Sequence, residues 1–118
     1  MKVNIFYSWQ SDLPNAKNRN LIETCLKKAT KLLENEIDEV SEISIENDSR
    51  NDTGTPNLVE SIFEKIETCD ILVADLSIIN AESNCRPTPN PNVLLEVGFA
   101  AKAISWSNIL CIYNWEYG

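Results

Sequence analysis

The chain has 118 residues, with 10 basic against 18 acidic side chains, a formal charge of −8 and no histidine. Without imidazole, Ser-His-Asp and Cys-His nucleophile pairs, histidine general bases and His-ligated zinc sites are excluded, so any catalysis must run on carboxylates, hydroxyls, thiols or backbone dipoles. The length and a hydrophobic fraction of 43% fit one globular domain, and the acidic surface, whose densest basic patch is Lys27, Lys28 and Lys31, argues against a nucleic-acid partner.

Val3-Asn4-Ile5-Phe6-Tyr7 is a β-prone run followed by a polar turn region from Ser8 to Asn20. From Asn18 to Ile37, apolar residues Leu21, Ile22, Cys25, Leu26, Ala29, Leu32, Leu33 and Ile37 recur at three and four, which predicts an amphipathic helix. Ile43-Ser44-Ile45 alternates like a half-buried strand, and the acidic, aperiodic stretch Asn47 to Gly54 reads as a surface loop. Thr55-Pro56 then gives an N-cap followed by proline, opening a second helix with Leu58, Val59, Ile62, Phe63 and Ile66 on its apolar face.

Cys69 to Asp75 is a continuous apolar run ending in a carboxylate, the pattern of a strand covered on both faces. Asn90-Pro91 repeats the cap-then-proline signature and starts a third helix to about Ile104, and Ile109 to Tyr113 is a fourth strand. The order β-α-β-α-β-α-β implies an α/β fold, a doubly wound parallel sheet with helices on both faces. The strands should run 2-1-3-4, with the most completely apolar strand central. Ligands then settle at the switch point between the carboxyl ends of strands one and three.

The four cysteines form no C-x-x-C pair, so no metal site is expected. Reduced, buried thiols are expected instead, with Cys85 in a polar loop. No leader segment and no apolar run of about 18 residues is present, which points to a cytoplasmic protein away from membranes. Two sequons, at Asn47 and Asn51, are silent without secretion.

The switch point receives Ser8-Trp9-Gln10-Ser11-Asp12 after strand one, Asp75-Leu76-Ser77 after strand three, and the N-terminus of the third helix, whose free N–H groups suit an anionic or polar ligand group. Gly54, Gly98 and Gly118 make no phosphate-cradling loop. On a wheel of 100° per residue, Val93, Val97, Ala100, Ala101 and Ile104 share the core face, and Glu96 falls at its margin. A desolvated carboxylate there is either functional or a rim group capping a backbone N–H. Gly98, inside the same helix, suggests close approach of a strand or ligand, or plain helix–sheet packing.

Three blocks together, Phe6 to Asp12, Ala74 to Ser77, and Arg86 to Ala100, resemble the bacterial TIR-like nucleotide-binding proteins. A shorter core of the last, N-x-x-x-E-x-G-x-A, is similar to the nucleoside 2-deoxyribosyltransferases, which share a flavodoxin-like scaffold. The resemblance implies one TIR-like domain over 1–118, C-terminally incomplete because the usual fifth strand and last helix are lacking; strand four would then be an exposed apolar edge. It implies cleavage of the nicotinamide–ribose bond of NAD, as in antiphage defence, with NAD as substrate, no cofactor, and a homo-oligomer formed through TIR-type contacts.

Glu96 would be the catalytic carboxylate, stabilising or trapping an oxocarbenium-like cation. Nicotinamide leaves from a pyridinium and needs no strong acid. A deoxyribosyltransferase must protonate its leaving base, for which Asp75 or Asp12 could serve. A binding or assembly module without chemistry is the third alternative. The resemblance further implies Ser8 and Trp9 on the ribose and base side, Asn90 or Asn92 on ribose hydroxyls, Asp75 and Ser77 framing the floor, and Arg86 on a pyrophosphate. Each has a plainer role: Trp9 packing on strand one, Asn90 capping, Asp75 forming a turn, Arg86 solvated.

Overall fold

The computed structural model describes residues 1–47 and 56–118. The acidic loop beyond Asn47, the sequon hydroxyls Ser49 and Thr53, and the Thr55 cap lie outside them. Four strands form one sheet: β1 (Lys2–Ser8), β2 (Glu42–Glu46), β3 (Ile71–Asp75) and β4 (Ile109–Ile112). Three helices connect them: α1 (Arg19–Glu36), α2 (Pro56–Thr68) and α3 (Pro91–Ala103). Every neighbouring pair is parallel and the order is β2-β1-β3-β4, the expected doubly wound arrangement.

Continuous apolarity puts β1 and β3 in the middle. Ile5 to Ser8 and Leu72 to Asp75 are buried without a break, whereas β2 alternates between exposed and half-buried, as an edge strand does. Strand alternation sorts the inner side chains onto two faces. Phe6, Leu72 and Ala74 meet Ile66 of α2 and Val93, Val97 and Ala100 of α3; Ile5, Tyr7, Trp9 and Val73 meet Ile22 of α1. Each fully buried Val, Leu, Ile or Phe contributes about 1.5–3 kcal/mol of transfer free energy. Phe63 and Phe99 stack with centroids 4.1 Å apart and lock α2 to α3.

The α3 start follows its sequence signature. Asn90 Oδ1 accepts from the N–H groups of Asn92 (2.8 Å) and Val93 (3.2 Å), with Pro91 at the first helical position. Such a cap stabilises by about 1 kcal/mol. Among the described residues, no helix is long and apolar enough to cross a membrane.

Three expectations are corrected. The buried ridge of α1 is narrower than its apolar stripe: Ile22 and Thr30 are buried and Leu26 half-buried, while Leu21, Cys25, Ala29, Leu32, Leu33 and Ile37 are exposed. The sheet covers one side of the stripe only. Of the cysteines Cys69 alone is buried; Cys25 and Cys111 are exposed with Cys85, because α1 turns Cys25 off the sheet and β4 is an uncovered edge. At Gly98 a Cβ would meet nothing within 4 Å, so no close approach of the neighbouring strand requires that glycine.

Candidate functional site

The carboxyl edge of β1 and β3 is where the chain reverses direction across the sheet, and polar residues accumulate there. Ser8, the last residue of β1, shares the α3-facing side with Phe6. Glu96 lies in the second turn of α3, one helical turn from both Val93 and Ala100 on the core-facing side. The two meet: Ser8 Oγ donates to Glu96 Oε2 at 3.4 Å. Glu96 is 4% exposed and Ser8 is buried, so the carboxylate is withdrawn from bulk water and directed at the strand end. The wheel position read from sequence is the observed one.

A second carboxylate stands at the start of α3. Asp12 Oδ2 accepts from Asn90 Nδ2 at 2.6 Å, which clasps the loop after β1 to the helix N-cap. The positive end of the helix favours a carboxylate there. The loop is shaped from beneath by Gln10, whose Oε1 accepts from the N–H groups of Asp12 (2.8 Å) and Leu13 (3.2 Å). Asn90 spends its oxygen on the cap and its nitrogen on Asp12.

The third carboxylate has a different setting. Asp75 is 0% exposed, and its Oδ2 accepts from Gln10 Nε2 (3.1 Å) and Asn18 Nδ2 (2.7 Å) while Oδ1 accepts from the Ser77 N–H (3.0 Å). Ser77 Oγ accepts from the Asn114 N–H, and Asn114 Nδ2 reaches Asn18 Oδ1. One buried anion thus ties together the segments after β1, before α1, after β3 and after β4. Asn18 gives α1 no side-chain cap because its amide serves Asp75 instead.

The structure therefore pairs Ser8 with Glu96 and Asp12 with Asn90 along α3, with Asn92 exposed in its first turn. Asp75 and Ser77 lie under the edge as a framework, not as an open floor. The Trp9 ring follows Ile5 and Tyr7 onto the α1 face, 3% exposed, with the Arg19 guanidinium 3.6 Å from its centroid. Strand parity carried the signal, since Trp9 differs from Ser8 by one. Arg86 is exposed in the loop before α3, where its carbonyl accepts from Asn80 Nδ2. Sequence reasoning misses Gln10, Asn18 and Asn114, although amides in turn segments are the side chains able to donate to a buried carboxylate.

Tyr7 lies on the Asp75 side of the sheet and donates to the Arg19 carbonyl (3.2 Å). Burial pushes its phenol well above the ordinary range, the charges of Asp75 and Glu23 push it further, and Arg19 opposes them. Beyond Asp12, residues Leu13 and Pro14 begin the wall of a cleft of about 520 Å³ that Ile78, Asn80, Ser83 and Tyr117 complete. Among the described residues no group of three His, Cys, Asp or Glu side chains could hold a metal ion.

No protein-family model and no curated protein matches the sequence. Among solved structures the chain is similar to a 2-desoxiribosyltransferase from Leishmania mexicana, with a TM-score of 0.53 and 18% identity over 94% of this chain. The chain spans 63% of the length of that protein. At this identity the likeness is one of fold, and the four parallel strands with their flanking helices are a flavodoxin-like α/β architecture.

Proposed function

We propose that the protein cleaves N-glycosidic bonds of nucleoside-type substrates, with Glu96 as the nucleophile, and passes the glycosyl group to an acceptor base or to water. The observation that carries this reading is the withdrawn Glu96 carboxylate, hydrogen-bonded to Ser8 at the carboxyl ends of the two central strands. The fold likeness to a deoxyribosyltransferase favours a nucleoside over NAD as the substrate class.

The chemistry follows from the placement. As a base departs, the anomeric carbon becomes cationic, and a carboxylate fixed beside it in a water-poor site stabilises that charge more than it would in water. Attack by a Glu96 oxygen forms a glycosyl ester, which the acceptor then opens. Ser8 holds one carboxylate oxygen and so sets the direction of the other. Asn92 stands exposed at the same edge for sugar hydroxyls, while the first N–H groups of α3, expected to be free for a ligand, are taken by Asn90.

The test is incubation with 2′-deoxynucleosides plus an acceptor base, and separately with NAD, following free base and nicotinamide by chromatography. Deoxynucleoside turnover is expected, and Glu96→Gln should lower it by about 10³-fold or more while the fold is kept. Nicotinamide release without nucleoside turnover would move the substrate to the dinucleotide of the TIR-like reading. Activity that survives in the variant, or no cleavage of any substrate, overturns the proposal.

A further inference from the structure

The outer edge of the sheet is unlike the rest of the molecular surface. The chain carries a net charge of −8, yet from Ala103 to Trp115 it has no charged residue and no proline. This neutral stretch is β4 with its two flanks, and β4 is an edge strand with β3 on one side only. Exposed edges are normally guarded by a lysine, a proline or a bulge, because their free N–H and C=O groups can pair with another strand. Apolar side chains stand here instead: Leu110 is 53% exposed, Trp106 before the strand 65% and Trp115 after it 86%.

Strand geometry decides which groups this edge offers. The Leu76 N–H donates to the Ile112 carbonyl at 2.8 Å, so Ile112 turns its backbone toward β3, and by alternation Leu110 does the same. Ile109, Cys111 and Tyr113 then turn theirs outward, although the Ile109 N–H is taken by the Trp106 carbonyl. A second copy of β4 laid antiparallel uses all three when Ile109 stands opposite Tyr113 and Cys111 opposite Cys111. That register has a two-fold axis through Cys111. An axis perpendicular to the sheet keeps the α1 faces of both copies on one side, so residues of like parity must meet, and here they do. Leu110 and Ile112 belong to the α1 face, where the register sets Leu110 against Ile112 of the second copy. The two apolar grooves of about 500 Å³ then adjoin, and Trp106 comes to the end of β4 at which the second copy has Tyr113 and Trp115.

We infer that two copies of the chain join along β4, strand against strand with the two-fold axis at Cys111, so that their four-stranded sheets become one continuous sheet. Charge favours a second copy over a partner of another kind. The net charge of −8 sets two copies against each other, least along a neutral strip, and such a strip gives a charged partner nothing to pair with. The area agrees. At about 150–250 Å² per aromatic side chain, Trp106, Tyr113 and Trp115 alone expose roughly 400 Å² per copy, about half of the ~800 Å² that a standard interface takes from each partner. Leu21, Leu110 and the strand backbone lie in the same strip. The contact goes beyond the glycosyl-transfer reading and does not depend on it.

Sedimentation equilibrium over a range of protein concentrations tests the contact, and a dimer with a dissociation constant of roughly 1–100 μM is expected for an interface near the small end of the standard class. Because like charges oppose it, raising the salt from about 0.01 to about 0.15 M should tighten the dimer severalfold. Leu110→Lys adds the charge that guards natural edges and should weaken it about tenfold or more, whereas Leu32→Lys, at a similarly exposed leucine of α1 outside the groove, should not. The register is read in Cys25→Ser/Cys85→Ser protein treated with diamide, which takes one hydrogen atom from each of two thiols as the sulfurs join. Opposite residues of a hydrogen-bonded antiparallel pair have Cα atoms about 5.5 Å apart, within disulfide reach, so mass mapping should find Cys111 linked to Cys111 of the second copy. The salt response and this link are read on an unaltered edge and stand even if Leu110→Lys fails to fold. A monomer at every concentration, a dimer that salt loosens, one that folded Leu110→Lys leaves intact, or one without the Cys111 link overturns the inference.

Discussion

The two faces of the sheet are built to different degrees. On the α2 and α3 side two helices close the core, and Phe6, Ile66, Leu72, Ala74, Val93 and Ala100 are at most 1% exposed. On the α1 side one helix covers β1 and β2 and leaves an apolar groove of about 500 Å³ along β4, lined by Leu21, Cys25, Ile112, Tyr113 and Trp115. Each face carries one buried carboxylate at its upper edge. Glu96 on the closed face accepts from the Ser8 hydroxyl, whereas Asp75 belongs to the α1 face, in register with Ile112, and accepts from three N–H donors. Saturation by donors marks a structural anion. A buried carboxylate on a helix at the carboxyl ends of the strands is the one the glycosyl-transfer proposal uses.

Exchanging the consequences of the two would break that comparison. Glu96→Gln should abolish turnover with little change in melting temperature. Asp75→Ala should unfold the edge, because it strands the amides of Gln10 and Asn18 and the Ser77 N–H in a buried space. The expected cost is about 3 kcal/mol or more, since bonds to a charged acceptor contribute about 1.5–3 kcal/mol each. For a domain of this size that lowers the melting temperature by roughly 10 °C or more. A thermal melt of Asp75→Ala within a degree or two of wild type would show that Asp75 is not the hub of the four loops.

The sequence made one face more legible than the other, for physical reasons. The continuous apolar run of β3 identifies a central strand whatever packs on it, and the expected order 2-1-3-4 rests on it. Glu96 was legible because its helix is regular and the core-facing residues around it fix the phase of the wheel. In α1 the same method overreached. Apolarity from Leu21 to Ile37 says which residues could be covered, and only the neighbouring strands decide which ones are. The Asp75 hub was hidden for a further reason: its donors, Gln10, Asn18 and Asn114, are far apart in sequence and meet only through the topology. The resemblance places Trp9 at the pocket, although its parity with Ile5 and Tyr7 puts its ring on the α1 side.

Alkaline pH sharpens the contrast at smaller scale. Tyr7 is buried on the α1 face near Asp75, and its phenol is raised by burial first and by that carboxylate second. The folded state therefore keeps the Tyr7 proton when the unfolded chain has begun to release it. The stabilisation is fully present below the ordinary phenol value of about 10 and is lost as pH rises from there toward the raised folded value. Tyr7→Phe removes the bond to the Arg19 carbonyl, at about 1 kcal/mol, and should also flatten the fall of stability above pH about 10. Urea titrations of both proteins across that range give the slopes. Identical slopes would mean that Tyr7 is not held neutral by its surroundings.

The smallest expected effect reads the faces directly through their thiols. Cys69 ends α2 on the closed face, where it is buried, donates to the Ile66 carbonyl at 3.1 Å and has its thiol raised by desolvation. Cys25 lines the open groove of α1, and Cys85 and Cys111 are exposed. A thiol reagent should therefore modify Cys25, Cys85 and Cys111 in the native protein diluted to monomer and reach Cys69 only on unfolding, because the reactive thiolate is disfavoured at the buried site. Mass mapping of the labelled peptides distinguishes the four. Cys25 reacting as slowly as Cys69 would mean that the groove is covered in solution, and the difference between the two faces would then belong to the isolated chain alone. Fast reaction at Cys69 would mean that the α2 end opens readily, contrary to the closed core that positions Glu96.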